Sequence, residues 1–159
     1  MIAYRRAGPA DVPILQAMLQ ALSDHDGGNS AVGSVQSLLQ HGFGARPMFH
    51  AAIAEQGSMA VGMVIYYPDY STHRGEPGIY VQDLYVDDVA RGAGVGRGLL
   101  TCMLQAQDWD AQYITLGVSP DNAAASRFYS RLGFLARGYQ VIILAGPELK
   151  ALRWANQLD

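Results

Sequence analysis

The apolar positions change their spacing several times along this chain, and each change marks an element. Residues 2–6 read as a short opening strand. Gly8-Pro9 breaks it, and proline suits the first turn of the helix that Leu15, Met18, Leu19 and Leu22 continue at helical spacing. Residues 24–30 are polar and glycine-containing, a break. A second short helix is predicted over residues 32–40, with Val35, Leu38 and Leu39 inward, and His41-Gly-Phe-Gly44 ends it. Two apolar runs, residues 48–55 and 59–67, flank Gln56-Gly57-Ser58 and predict a hairpin. Residues 68–78 are polar and turn-rich and read as a loop; residues 78–86, rich in Ile, Val and Tyr, read as the next strand. A helix over 95–107 carries Leu99, Leu100, Met103 and Leu104, and a strand is predicted over 113–118. Asp121 or Asn122 caps a helix holding Ala124, Ala125, Phe128 and Leu132, and Gly133 stops it. A strand over 141–144 and a terminal helix over 148–158 complete the reading. The order β, α, α, β, β, β, α, β, α, β, with that closing helix, predicts a mixed α/β layer fold around one central sheet.

Composition narrows the class. The chain has 159 residues, half of them hydrophobic. That suits a single domain over residues 1–159, with a core burying roughly 70% of the unfolded surface, and argues against disorder. A net charge of −3 gives no basic face for nucleic acid and is compatible with a cationic small substrate. Cys102 is the sole cysteine, so no internal disulfide forms; in an apolar helical pattern it reads as a buried structural thiol. The N-terminus has no apolar signal region after its basic residues. The longest apolar stretch, residues 59–67, is far short of the ~18 residues of a membrane span. A cytoplasmic protein without nucleic-acid or membrane partners, and without a metal, is expected.

Candidate chemistry lies between the strand at 78–86 and the helix at 95–107. Arg91-Gly-Ala-Gly-Val-Gly-Arg-Gly98 joins them. Glycines let backbone N–H groups approach a ligand, and a helix start adds unpaired N–H groups and a positive dipole end, which suit phosphate. Arg91 and Arg97 add charge. A plain glycine-rich turn is the alternative. The glycines at 92, 94, 96 and 98 miss the G-x-G-x-x-G spacing, and no G-K-[ST] follows, so both nucleotide-binding readings lose their main support.

Arg91-Gly-Ala-Gly-Val-Gly96 resembles the Q/R-x-x-G-x-G/A motif of the GNAT superfamily of N-acetyltransferases. The lead-in Val81-Gln-Asp-Leu-Tyr-Val86 is similar to the family strand that hydrogen-bonds the pantetheine arm of acetyl-CoA. Asn122-Ala-Ala-Ala-Ser-Arg-Phe-Tyr-Ser-Arg-Leu-Gly-Phe134 resembles the family's N-x(4–6)-F-Y-x-x-x-G-F helix, which flanks the other side of the thioester. Leu38-Leu-Gln-His-Gly-Phe-Gly44, Pro47-Met-Phe-His-Ala-Ala-Ile-Ala-Glu55 and Gly62-Met-Val-Ile-Tyr-Tyr67 are similar to the diamine (spermidine/spermine) acetyltransferase branch, so the likeness runs from about Leu38 to Phe134. It implies a GNAT-like, mostly antiparallel sheet flanked by helices, acetyl-CoA as co-substrate, and a homodimer to which residues 141–158 contribute. That branch has a glutamate where this strand has Gln82, and a more acidic segment where this chain has Ser23-Asp-His-Asp-Gly-Gly-Asn29.

The implied reaction is attack of a primary amine of a small molecule (a diamine, polyamine or amino-acid-like acceptor) on the thioester. The resemblance places the co-substrate on Leu84, Tyr85 and Val86, on Arg91, Gly92, Ala93, Gly94, Val95, Gly96 and Arg97, and on Asn122 and Ser126. A backbone N–H of the Leu84–Val86 stretch polarises the carbonyl, and Tyr129 protonates the departing thiolate. Asn122 is equally suited to act as an N-cap alone. The acceptor end draws on Asp24, Asp26, Gln82 and Asp83. An amine with pKa about 10.4 must shed a proton first, and Asp83, Asp24, Asp26, His25 and His50 are the candidate bases; Gln82 is not, being an amide. Tyr66, Tyr67, Tyr80 and Tyr85 either wall the acceptor site or pack the sheet. A protein or peptide N-acetyltransferase and a catalytically silent CoA-binding module are the competing functions, and Tyr129 argues against the second.

Overall fold

The computed structural model describes residues 1–28 and 30–154. The chain forms two compact units, Met1–Gly117 and Val118–Asp159.

The first unit holds β1 (Ile2–Arg6), a 3-10 turn, α1 (Val12–His25), α2 (Val35–Phe43), β2 (His50–Gln56), β3 (Met59–Ser71), β4 (Glu76–Val86), α3 (Val95–Ala106) and β5 (Ile114–Leu116). The sheet order is β1-β2-β3-β4-β5. Neighbours are antiparallel except β4 and β5, which run parallel. Both faces of the sheet are covered. Leu15 and Met18 of α1 pack on Ala51, Ile53, Met63 and Ile65. The alternate side chains meet α3: a Cβ on Gly62 would touch Val95 and Leu99, and Gly98 lies against the Tyr4 ring. Coverage on both sides explains why β2 and β3 read as continuous apolar runs rather than alternating ones. Each fully buried Leu, Ile or Met contributes roughly 1.5–3 kcal/mol.

Three expectations need correction in this unit. Residues 68–78 are not a loop, because β3 continues to Ser71 and β4 begins at Glu76. Distant residues hold this polar stretch in the ladder. The Tyr113 hydroxyl donates to Asp69 (2.9 Å), and Trp109 Nε1 donates to the Gly78 carbonyl (2.8 Å). The second helix starts three residues later than expected, where the Ser34 side chain accepts the Ser37 N–H at 3.1 Å. It runs through Gly42, which sits against the Phe49 ring. The strand expected at 113–118 is shorter, Ile114–Leu116.

The second unit contains α4 (Ala123–Arg131) and α5 (Gly146–Trp154). The strand expected at 141–144 does not form. Val141, Ile142 and Ile143 are 89%, 88% and 89% exposed. Strand propensity records packing against neighbours, and a β-branched run without a paired neighbour gains nothing from it. The terminal helix is present to Trp154; residues 155–158 of that expectation lie outside the described residues. Among the described residues no helix is long and apolar enough to cross a membrane.

Candidate active site

The site grows from an irregularity in β4. Ile65 pairs with Asp83 and Tyr66 pairs with Val81, so Gln82 is an extra residue, a β-bulge. Upstream of it the Ile79 N–H points to β5, donating to the Tyr113 carbonyl at 2.9 Å. Downstream, the Asp87 N–H points the other way, to the Val61 carbonyl of β3 (2.9 Å), while the Val86 carbonyl faces away and accepts from Arg91 Nε at 3.1 Å. Backbone groups alternate along a strand, so Leu84 and Val86 turn their N–H groups to the edge opposite β3. Beside β4, β5 pairs only with Ile79–Val81. The bulge therefore presents Leu84 and Val86, rather than Asp83 and Tyr85, at an edge where β5 no longer pairs.

That edge runs directly into the glycine-rich segment. Asp87 caps a 3-10 turn by accepting the Val89 N–H at 3.1 Å. Gly92 and Gly94 then adopt φ of 78° and 77°, and a Cβ at either would meet nothing within 4 Å. Glycine is needed there for its backbone conformation, not for lack of space. Gly94 is the N-cap of α3 and supplies no side-chain cap. Gly98 is the first residue whose N–H bonds back into the helix, to the Gly94 carbonyl at 3.0 Å. The N–H groups of Val95, Gly96 and Arg97 are left without helical acceptors, beside a dipole end worth about half a positive charge. Arg97 makes no ion pair among the described residues. Arg91 does: it binds Asp88 at 2.7 Å, so its role here is to brace the turn.

The face under α1 gathers most of the acceptor candidates. Tyr67 and Tyr80 stack at 5.0 Å with their planes 19° apart, and the Tyr67 hydroxyl reaches Gln82 Oε1 at 3.4 Å. Asp83 is half-buried, opposite Ile65 in register, and burial pushes its carboxyl above the usual value, with the charge of Asp26 adding to the effect. Burial likewise raises the Tyr67 phenol. Tyr85 packs against the α1 cluster. Asp24, His25 and Asp26, at the end of α1, are exposed. Asp24 accepts from Gln20 at 3.0 Å.

Two candidates fall away from this face. Tyr66 is fully buried and packs with His50 and Trp109, centroids 5.5–6.3 Å apart. Burial holds the His50 imidazole below its ordinary value, as expected of a packed, neutral ring. Trp109, which lies in no motif and no periodic run, completes that cluster. Cys102 is half-buried, and burial pushes its thiol up, away from reactivity. Among the described residues no three His, Cys, Asp or Glu side chains stand close enough to hold a metal ion.

In the second unit the Asn122 side chain accepts the Ala125 N–H at 3.0 Å and caps α4. Ser126 follows one turn on, its N–H bonded to the Asn122 carbonyl at 3.0 Å. Gly133, at φ 93°, ends the helix, and the Phe134 N–H returns to the Tyr129 carbonyl at 3.0 Å. This turn brings Phe134 to 5.3 Å from the Tyr129 ring, with Phe128 on it at 5.1 Å. Burial pushes the Tyr129 phenol up to about 12, so it carries its proton throughout the neutral range.

The family described as "Acetyltransferase (GNAT) family" matches residues 15–134. The thialysine N-epsilon-acetyltransferase of Sus scrofa is 32% identical, with 83% of each chain covered; that of Bos taurus is 30% identical, over 95% of this chain and 96% of the relative. The spermidine/spermine N(1)-acetyltransferase-like protein 1 of Homo sapiens is 29% identical over 94% of this chain, which spans 23% of that longer protein. Among solved structures, an integron cassette protein from the mobile metagenome of V.cholerae superposes with a TM-score of 0.77 at 22% identity, covering 96% of this chain and 97% of that one. An aminoglycoside acetyltransferase from an uncultured soil metagenomic sample, in complex with sisomicin, gives 0.73 at 17% identity, covering 91% and 95%. At these identities the two structures bear on the fold, and they share the mostly antiparallel sheet flanked by helices.

Proposed function

Since this chain belongs to the acetyltransferase (GNAT) family and is an N-acetyltransferase, we propose that it transfers the acetyl group of acetyl-CoA to a primary amine of a small molecule by direct attack. The observation that carries this reading is two sets of backbone N–H groups without partners among the described residues, one at the β4 edge (Leu84 and Val86) and one at the start of α3 (Val95, Gly96 and Arg97), joined by the hydrogen-bonded turn at 87–91. The first part suits the amides and thioester carbonyl of a pantetheine arm, and the second suits a pyrophosphate. Tyr85, Arg91, Gly92, Ala93 and Gly94 shape the path between them. Asn122 and Ser126 are further contacts for the co-substrate.

The amine nitrogen attacks the carbonyl carbon, the C–S bond breaks, and Tyr129 donates to the sulfur as it leaves. A phenol near 12 is a weak acid beside a thiol near 8.5, so its proton moves late, and the nitrogen's surplus proton refills it. The acceptor end is assigned to Asp24, Asp26, Gln82 and Asp83. Relatives named for thialysine and for spermidine/spermine support a small amine as acceptor rather than a peptide. On the same proposal residues 1–159 act as a single catalytic domain, cytoplasmic and homodimeric.

Titration with acetyl-CoA tests it. The melting temperature should climb as the ligand exceeds its Kd, and Gly94→Val should weaken that response while leaving the protein folded. No response to acetyl-CoA from the folded wild type would overturn the reading.

A further inference from the structure

Building on the acetyltransferase reading, we infer that Asp83 takes the proton from the acceptor ammonium before attack, in place of the residue at position 82. Gln82 is an amide, and its oxygen already accepts from the Tyr67 hydroxyl at 3.4 Å. The bulge it creates does more than turn backbone groups. It also reverses the side chains that follow, so Asp83 and Tyr85 share the α1 face with Tyr67 and Tyr80 instead of following Val81 to the α3 face. The α3 face is closed at this level, where Val81 and Tyr66 are buried. An amine approaching the β4 edge therefore arrives from the side that carries Asp83, the residue immediately before the Leu84 N–H.

Asp83 is also free for the task. Half-buried, it makes no hydrogen bond or ion pair among the described residues. The charged group acting on it is Asp26, at the end of α1, and Asp83 in turn helps to raise the Tyr67 phenol of β3. Tyr85, two residues along its own strand, responds to Asp87, Asp88 and Arg91 instead. Burial and the like charge of Asp26 both raise its proton affinity, which brings a carboxylate closer to the task of a base at neutral pH. The other candidates are worse placed. His50 is stacked on Trp109 in the cluster with Tyr66, and Asp24 is exposed and bonded to Gln20.

The step balances. The Asp83 carboxylate accepts one proton from R–NH3+, giving a carboxylic acid and R–NH2. The nitrogen lone pair forms the C–N bond as the C–S bond breaks. The sulfur takes its proton by way of Tyr129, and Asp83 returns its own to water.

Steady-state thiol release across pH 6–10, with thialysine, spermidine and 1,4-diaminobutane as acceptors, tests the inference. Asp83→Asn should lower kcat about 10²-fold or more at pH 7 while leaving acetyl-CoA binding by thermal titration unchanged. The deficit should shrink toward pH ~10, where the free amine needs no base. Asp83→Glu should recover part of the loss, as should Gln82→Glu added to Asp83→Asn. Asp26→Asn, which removes the like charge, should move the acid limb of kcat to lower pH, and it tests the same group should Asp83→Asn misfold. Turnover of Asp83→Asn within threefold of wild type, a deficit equal at all pH values, or an unmoved acid limb in Asp26→Asn would each overturn the assignment. A wild type that releases no thiol with any acceptor would instead defeat the acetyltransferase reading itself, and the inference with it.

Discussion

At the scale of single residues, protonation separates catalytic roles from structural ones. Tyr129 is held in its acid form by burial. Tyr129→Phe should therefore cut kcat by ~10² to 10⁴-fold where chemistry limits the rate, with acetyl-CoA affinity nearly unchanged; single-turnover measurement with a titrated co-substrate checks this. Asp11 shows the structural counterpart. It accepts from both guanidinium nitrogens of Arg5 at 2.8 Å and from the Gly8 N–H at 2.7 Å. The Arg5 hydrogen bond holds its carboxyl below the ordinary value. A depressed folded-state value means stability that is present above the unfolded value and lost as pH falls through the folded one. Asp11→Asn should therefore cost about 1 kcal/mol at pH 7, since Arg5 is partly exposed. That difference should fade below pH ~4 in denaturant titrations. Residue identities in the motif segments were legible in the sequence because their chemistry is local. The bracing of Arg91 by Asp88 and the removal of His50 to the Trp109 stack were not, because partner choice depends on the packed structure.

At the scale of elements, two glycines of α3 and its lead-in are required for opposite reasons. Gly98 lies against the Tyr4 ring, so Gly98→Val must push α3 from β1. It should cost about 1–3 kcal/mol by overpacking, read as a lower melting temperature with acetyl-CoA contacts formally intact. Gly94 has open space but a φ of 77°. Gly94→Val should cost about 1–2 kcal/mol through its backbone and show mainly as weaker acetyl-CoA binding. Periodicity located β1 to β4 and α1, α3 and α4, where apolar spacing is long and regular. It failed at residues 68–78, whose polar sequence is held in the ladder by Trp109 and Tyr113. It failed again at 141–144, where propensity found no partner strand. The bulge at Gln82 leaves no trace in hydrophobic pattern, since a single extra residue between tyrosines and valines alters no period.

At the scale of the whole molecule, this N-acetyltransferase carries Gln82 where the diamine branch has a glutamate, in the strand proposed to line the acceptor end. The expected homodimer is open to direct measurement. Light scattering at tens of micromolar should return twice the 17.1 kDa of one chain; a monomer mass would remove that part of the proposal. With an amide at position 82, a monoamine or amino acid should be acetylated at least as well as spermidine, and a strong preference for spermidine would contradict this. Mass spectrometry of an amine acceptor incubated with the protein and acetyl-CoA, with free thiol followed in the same sample, shows acetyl transfer itself. The expected product is an acceptor heavier by one acetyl group on a primary amine nitrogen, formed in step with the thiol and in proportion to enzyme. Folded protein that binds acetyl-CoA yet releases thiol only at the rate of hydrolysis, with every primary amine unmodified, would contradict it.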